Sequence, residues 1–337
     1  MKEAMLYEKL SDNRVKCNLC NHRCTIKDEN YGICGVRQNI DGSLFSLVYD
    51  RIVASHIDPI EKKPLFQFYP GSRAYSIATV GCNFQCKHCQ NFDISQFPRE
   101  KKGYIVGEKM GPEEIVKEAD SSGCKSIAYT YTEPTIFFEL AYDTAKIAHY
   151  KGIKNIFVSN GFMTPEALRE ISPYLDGINI DLKAFTDKFY KEICGGRLEP
   201  VLENIKLAKE FGIWVEVTTL IIPTLNDSKD ELRHIAEFIK DVDKDIPWHI
   251  SQFYPTHKLT TLSRTPVETL HMAREIGIKA GLHYVFEGNV PGRGNESTYC
   301  YKCGELLIER RGYSIIKNKI EDGHCPSCKS SIAGVGL

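Results

Sequence analysis

Thirteen cysteines stand in this chain, and eleven of them fall into three groups whose spacing suits metal ligation. The first group is Cys17, Cys20, Cys24 and Cys34, the second Cys82, Cys86 and Cys89, and the third Cys300, Cys303, Cys325 and Cys328. Reducing compartments disfavour structural disulfides, so metal binding or catalysis is the expected use of so many thiols. The central trio reads Cys-x3-Cys-x2-Cys, which gives three thiolates to a four-iron cluster and leaves one iron open to a substrate. A zinc ion held by the same three sulfurs with His88 or a distant group is the competing reading. The tail set is two Cys-x2-Cys knuckles flanking residues 304–324, the spacing of a zinc ribbon or rubredoxin, and zinc is expected there. Segments 305–308 and 313–317 can pair as a hairpin through Arg311-Gly312. The leading set, with Gly32 and Gly35 around its last ligand, is a further four-thiolate site for zinc, with an auxiliary iron–sulfur cluster left open. Cys124 and Cys194 read as packing residues, although Cys194-Gly195-Gly196 lies on a loop that can touch substrate.

The elements that must position these groups show as an alternation of short β-branched runs with longer amphipathic ones between residues 75 and 286. Expected strands are 75–80, 126–130, 154–159, 177–182, 214–220 and 248–253; expected helices are 112–121, 134–150, 165–171, 201–211, 229–242 and 266–280. Pro112, Pro134, Pro165 and Pro266 fit first helical positions. Such βα units make a parallel sheet, either an open doubly wound one or a partial (β/α)6 TIM-like barrel, the latter preferred. In both architectures chemistry sits at the carboxyl ends of strands, which is where the central cysteines fall. The expected division is an N-terminal four-cysteine metal module over 1–50, a core over 51–295 and a C-terminal zinc-ribbon or rubredoxin-like module over 296–337. Residues 51–73, with Pro59, Pro64 and Pro70, read as an irregular linker.

Composition is that of an ordinary globular protein, 42% hydrophobic and 26% charged, and 43 basic residues nearly balance 44 acidic ones. Nothing in that charge points to nucleic acid or an anionic membrane. The start MKEAMLYEKL lacks a signal-peptide core and no apolar run is long enough to span a bilayer, so a cytoplasmic protein is expected.

Cys82-x3-Cys86-x-His88-Cys89, with Phe84 ahead of the second cysteine, resembles the cluster motif of the radical S-adenosylmethionine (SAM) superfamily. The resemblance implies a [4Fe-4S] cluster whose open iron chelates SAM. It implies reductive cleavage to methionine and a 5′-deoxyadenosyl radical that abstracts hydrogen from a substrate. Within the superfamily the core is similar to pyruvate formate-lyase activating enzymes. Tyr129–Pro134 takes the place of their glycine-rich segment, and Glu133 matches its acidic position. Ser159-Asn160-Gly161-Phe162 resembles their Thr-Asn-Gly-Phe, Asp181-Leu182-Lys183 their Asp-Leu-Lys, and Pro247-Trp248-His249 their Pro-Tyr-His. The resemblance therefore implies SAM contacts from Glu133, Ser159, Asn160, Asp181, Lys183 and His249. Taken alone, these residues are also consistent with a helix cap, a turn and a core histidine. Thr218, Thr219 and the turn at 222–227 are expected as pocket wall, and the glycine-rich stretch 289–295 as its mouth.

The two flanking cysteine modules together with this core, and Gly288-Asn289-Val290, resemble the AmmeMemoRadiSam group of radical SAM proteins. That likeness implies partners of the AMMECR and Memo families, and likeness to activases implies a glycyl-radical enzyme as substrate and ferredoxin or flavodoxin as electron donor. Radical modification of a small molecule or peptide is the second reading, and a zinc-stapled binding protein without catalysis the third.

Overall fold

The computed structural model describes residues 1–290, 292 and 294–337. At its centre is an eight-stranded sheet, in chain order β1 (Ala54–Pro59), β2 (Arg73–Ala78), β3 (Ser126–Tyr129), β4 (Lys154–Ser159), β5 (Gly177–Asp181), β6 (Trp214–Ile221), β7 (Trp248–Gln252) and β8 (Val285–Gly288). Neighbours in sequence are neighbours in the sheet, and all pair in parallel except β1, which runs antiparallel to β2 along one edge. The six strands read from the sequence are therefore present, joined by β8 and by β1. The second addition corrects the reading of 51–73 as irregular. Pro59 ends the strand and Pro64 and Pro70 follow it, and an edge strand tolerates Pro59 at its last position because one side needs no backbone donor.

Helices Pro112–Ser121, Phe138–Tyr150, Pro165–Ile171, Glu199–Glu210, Lys229–Val242 and Val267–Ala280 cross between successive strands. Lys229–Val242 shows why: Leu232, Ile235, Ala236 and Ile239 repeat on one buried stripe, and Ser228 Oγ accepts the Glu231 amide at 3.2 Å as an N-cap. Thr164 caps Pro165–Ile171 in the same way. Two proline expectations shift. Pro134–Phe137 winds as a 3₁₀ turn before the α-helix, and Pro266 stands just outside its helix in an extended conformation, held by the Thr265–Phe253 hydrogen bonds.

Two three-stranded sheets precede the core and one follows it. The tail sheet contains the expected hairpin, Leu306–Arg311 against Ser314–Asn318. Its Leu307 and Ile308 share a core with Phe66, Tyr284 and Phe286 of the main body, and Arg310, buried against Phe66, donates to the Phe66 carbonyl at 2.6 Å. Among the described residues no helix is long and apolar enough to cross a membrane.

Candidate active site

The loop after β2 presents the central cysteines. Gly81 starts it at φ +105°, a conformation that favours glycine, and a Cβ there would fall 2.6 Å from Val36. Phe84, 1% exposed, anchors the loop by packing on Phe162 and Tyr190. Backbone bonds from Gln85 to the Cys194 carbonyl (2.7 Å) and from Lys87 to the Ile193 carbonyl (2.9 Å) tie it to the segment after β5. The Phe84 amide lies 3.3 Å from Cys82 Sγ, and Ser95 Oγ lies 3.3 Å from Cys89 Sγ. These donors prefer thiolates, and the motif itself supplies three cysteines, so the set fits a [4Fe-4S] group with one open iron, the Cys194 thiol standing beside Cys86 as a neighbour from another loop.

Burial pushes the Cys82 and Cys89 thiols up, whereas Cys86 is held low by a hydrogen bond from Cys194. Cys194 was expected only to pack or to touch substrate; its thiol lies within 4.8 Å of both Cys86 and His88. His88 is pushed down to about 3 by burial and then by Lys183, so its imidazole is neutral.

One cavity of about 580 Å³ contains all three cysteines together with Glu133, Ser159, Asn160, Asp181, Lys183 and His249 among its lining residues. Its volume is in the ordinary range for ligand sites. The six polar residues differ in how free they are. Glu133, 1% exposed, accepts from the Thr135 amide (3.0 Å), Thr135 Oγ1 (2.6 Å), Ser159 Oγ (2.9 Å) and the Asn160 amide (2.8 Å), which fastens the end of β3 to the end of β4. Burial raises its carboxyl despite those donors. Asn160 donates to Asn83 Oδ1 at 2.7 Å and so braces the cysteine loop. Lys183 pairs with Asp181 at 2.8 Å, and that pairing, with Cys86 nearby, holds its ammonium well above the usual range despite burial. His249 Nε2 lies 2.6 Å from Glu216 Oε2, between the rings of Phe66 and Phe286. Glu216, fully buried, also accepts the amides of Phe66 and Gln67 and the Trp214 indole N–H, each at 2.9 Å.

Of the expected wall, Thr218 lines the cavity, whereas Thr219 bonds the Leu182 carbonyl and the Trp248 indole, and the 222–227 turn closes on Asn226. Gly288 and Asn289 line it; Pro291 and Arg293 of the expected mouth lie outside the described residues.

A second polar group was not anticipated. Asp58 on β1 accepts from Lys62 (2.8 Å), Lys63 (2.7 Å) and the Tyr131 hydroxyl, and Lys63 faces the Tyr131 ring. Burial pushes Lys63 down to about 8. The only signal was the dense charge of 58–63 inside a stretch read as linker. Tyr313 of the tail hairpin also lines the cavity.

The tail sulfurs stand as two 3.6 Å pairs, Cys300 with Cys328 and Cys303 with Cys325, and all four lie within 4.8 Å of one another. The leading cysteines line a separate small cavity.

Comparison with known proteins agrees with this geometry. The chain is 48% identical over 335 residues, 98% of its length and 99% of the relative's, to the uncharacterized protein MJ0808 of Methanocaldococcus jannaschii. It is 26% identical over 180 residues, 51% of this chain and 71% of the relative, to the pyruvate formate-lyase-activating enzyme of Clostridium pasteurianum. A radical SAM methyltransferase from Sphaerobacter thermophilus shares the fold with a TM-score of 0.51 at 14% identity, covering 66% of this chain and 68% of that one. The Radical SAM superfamily profile matches residues 76–239, which span β2 to the helix after β6 and include the cysteine loop, and the chain belongs to that superfamily.

Proposed function

We propose that this chain is an activase-like radical SAM oxidoreductase that removes a hydrogen atom from a residue of a partner protein. The observation that carries the reading is the single cavity in which Cys82, Cys86 and Cys89 face Asp181, Lys183 and His249 across the carboxyl ends of parallel strands. When bound, the cluster supplies the electron that cleaves SAM, and hydrogen abstraction follows. The protein's own groups bind and orient. Asp181, Lys183 and His249 carry charge or a ring nitrogen into the cavity and are assigned to SAM. Glu133, Ser159 and Asn160 are assigned to shaping its wall, because their polar atoms are spent on one another and on Asn83. The sheet curls round this cavity as a partial barrel.

Similarity to an activating enzyme supports a protein substrate of the glycyl-radical type. Proteins of the AMMECR and Memo families are further candidate partners, and a ferredoxin or flavodoxin in the cytoplasm the electron donor. The tail cysteines are assigned one structural zinc. Zn–S bonds of about 2.3 Å in a tetrahedron set sulfurs about 3.8 Å apart, close to the 3.6 Å observed.

The test is 5′-deoxyadenosine formation by anaerobically reconstituted, reduced protein supplied with SAM. Formation that is lost in Cys86→Ala supports the reading; equal formation in that variant sinks it.

A further inference from the structure

Cys17, Cys20, Cys24 and Cys34 line one cavity with Leu19, Ile26 and Ile136. In the tail, four sulfurs lie within 4.8 Å of one another, the spacing of ligands that share a single ion. Among the described residues, neither the leading four nor the central three close to that mutual distance. Sulfurs shared among the separate irons of a cluster need not converge on one point, and in the leading set, as in the central one, the described residues do not converge on a single-ion distance.

Arg37 gives a second, independent observation. It is 2% exposed, lines the leading cavity, and uses Nη2 on Glu139 at 2.5 Å. Among the described residues its Nε and Nη1 have no hydrogen-bond partner. Buried donors of this kind are costly unless something accepts from them. The inorganic sulfides of a cluster are acceptors that a zinc ion does not bring, and hydrogen bonds to sulfur are one determinant of cluster potential.

The module also touches the central loop. A Cβ on Gly81 would fall 3.3 Å from the Cys34 carbonyl, His22 Nε2 lies 2.8 Å from the Asn83 carbonyl, and Arg99 bridges the carbonyls of Ile33 (3.0 Å) and Cys82 (2.9 Å).

We propose that Cys17, Cys20, Cys24 and Cys34 hold a second [4Fe-4S] cluster, every iron cysteine-ligated, in electron-transfer contact with the central one. The inference rests on the assignment of Cys82, Cys86 and Cys89 as cluster ligands. One electron from an added reductant takes either cluster from the 2+ to the 1+ state, and its passage between them makes and breaks no bond.

The experiment measures iron, acid-labile sulfide and zinc in the anaerobically reconstituted full chain and in the triple variant Cys82→Ala, Cys86→Ala, Cys89→Ala, with electron paramagnetic resonance after dithionite reduction. The triple variant is expected to keep about four iron, four sulfide and one zinc, and the unmodified chain to hold about twice that iron. The reduced unmodified chain should show spin coupling that the variant lacks. A triple variant with about two zinc and no iron overturns the proposal. Iron equal in both proteins instead overturns the central assignment, and a fully loaded chain with uncoupled signals overturns the contact between clusters. If the variant loses its tail zinc and is misfolded, the unmodified chain decides alone: about eight iron supports the second cluster, and about four iron with two zinc refutes it.

Discussion

Glu133→Gln separates a residue that fastens the cavity wall from one that binds SAM. The amide oxygen can take the place of Oε1, where the Thr135 amide, Thr135 Oγ1 and Ser159 Oγ converge. The amide nitrogen then faces the Asn160 N–H that now donates to Oε2 at 2.8 Å, donor against donor. Losing a bond to a charged acceptor costs about 1.5 to 3 kcal/mol, and the stranded buried N–H costs about 1 to 3 more. Against this, burial raises the Glu133 carboxyl, so removing the charge relieves a desolvation cost. The net expectation is a loss of about 2 to 3 kcal/mol at pH 7. The sign of the pH dependence follows from the same shift. A raised folded-state value means that the folded protein keeps its proton longer than the unfolded chain, so this group subtracts stability as pH climbs from the unfolded carboxyl range through the raised value. The variant should lack that decline. Urea unfolding of metal-loaded protein under anaerobic conditions, followed by fluorescence of Trp214 and Trp248 on β6 and β7, reads the difference. SAM affinity is expected to change little. Unchanged stability, within about 0.5 kcal/mol, together with lost SAM binding would refute the fastening role and make Glu133 a direct contact.

Four other outcomes follow from the same geometry. Gly196→Ala places a Cβ 2.3 Å from the Phe84 ring, so it should cost about 1 to 3 kcal/mol and lower iron retention by the central loop, as read by iron analysis after gel filtration. Arg37→Ala leaves fully buried Glu139 without its cation and should destabilise by about 3 to 5 kcal/mol in chemical denaturation. Cys303→Ala should release the zinc proposed for the tail cysteines and lower the melting temperature, and a full zinc complement would count against the ribbon. Asp58 is held well below the usual carboxylate range by Lys62, Lys63 and Tyr131 against the opposing effect of burial. It therefore contributes stability that is present above about pH 4 and lost as pH falls below it. Asp58→Asn should flatten that acid limb; a limb as steep as before would show that the ion pairs contribute nothing.

The parallel sheet was legible because each βα unit announces itself locally. Ile156, Phe157 and Val158 form a short apolar run, and Ser228 followed by Leu232, Ile235 and Ile239 gives a cap and a stripe. What escaped was β1, whose Ala54, Ser55, His56 and Ile57 alternate weakly and lie mostly exposed. An antiparallel edge strand is selected by its pairing with β2, from Ala54 opposite Ala78 to Pro59 opposite Arg73, and such pairing leaves little trace in composition.

The site divides in the same way. Cys82, Cys86 and Cys89 sit on one short loop, so their spacing marks them as metal ligands in the sequence, with zinc and a cluster both open to that spacing and the likeness of the whole motif favouring the cluster. Asp58, Lys63 and Tyr131, or Glu216, His249 and the amides of Phe66 and Gln67, meet only because β1 and β6 bring distant segments together. A sequence displays which residues can ligate a metal, whereas the residues that hold those ligands still are defined by contacts across the sheet. His249 shows the consequence. As a lone histidine on a strand it reads as a core residue at least as readily as a ligand-binding one. Glu216, with four accepted hydrogen bonds and no exposure, fixes one ring nitrogen and leaves the other edge of the imidazole to the cavity. A histidine pinned by a buried carboxylate and packed between Phe66 and Phe286 is a positioned one, and that positioning is the reason for assigning it to the ligand where the sequence alone left the matter open.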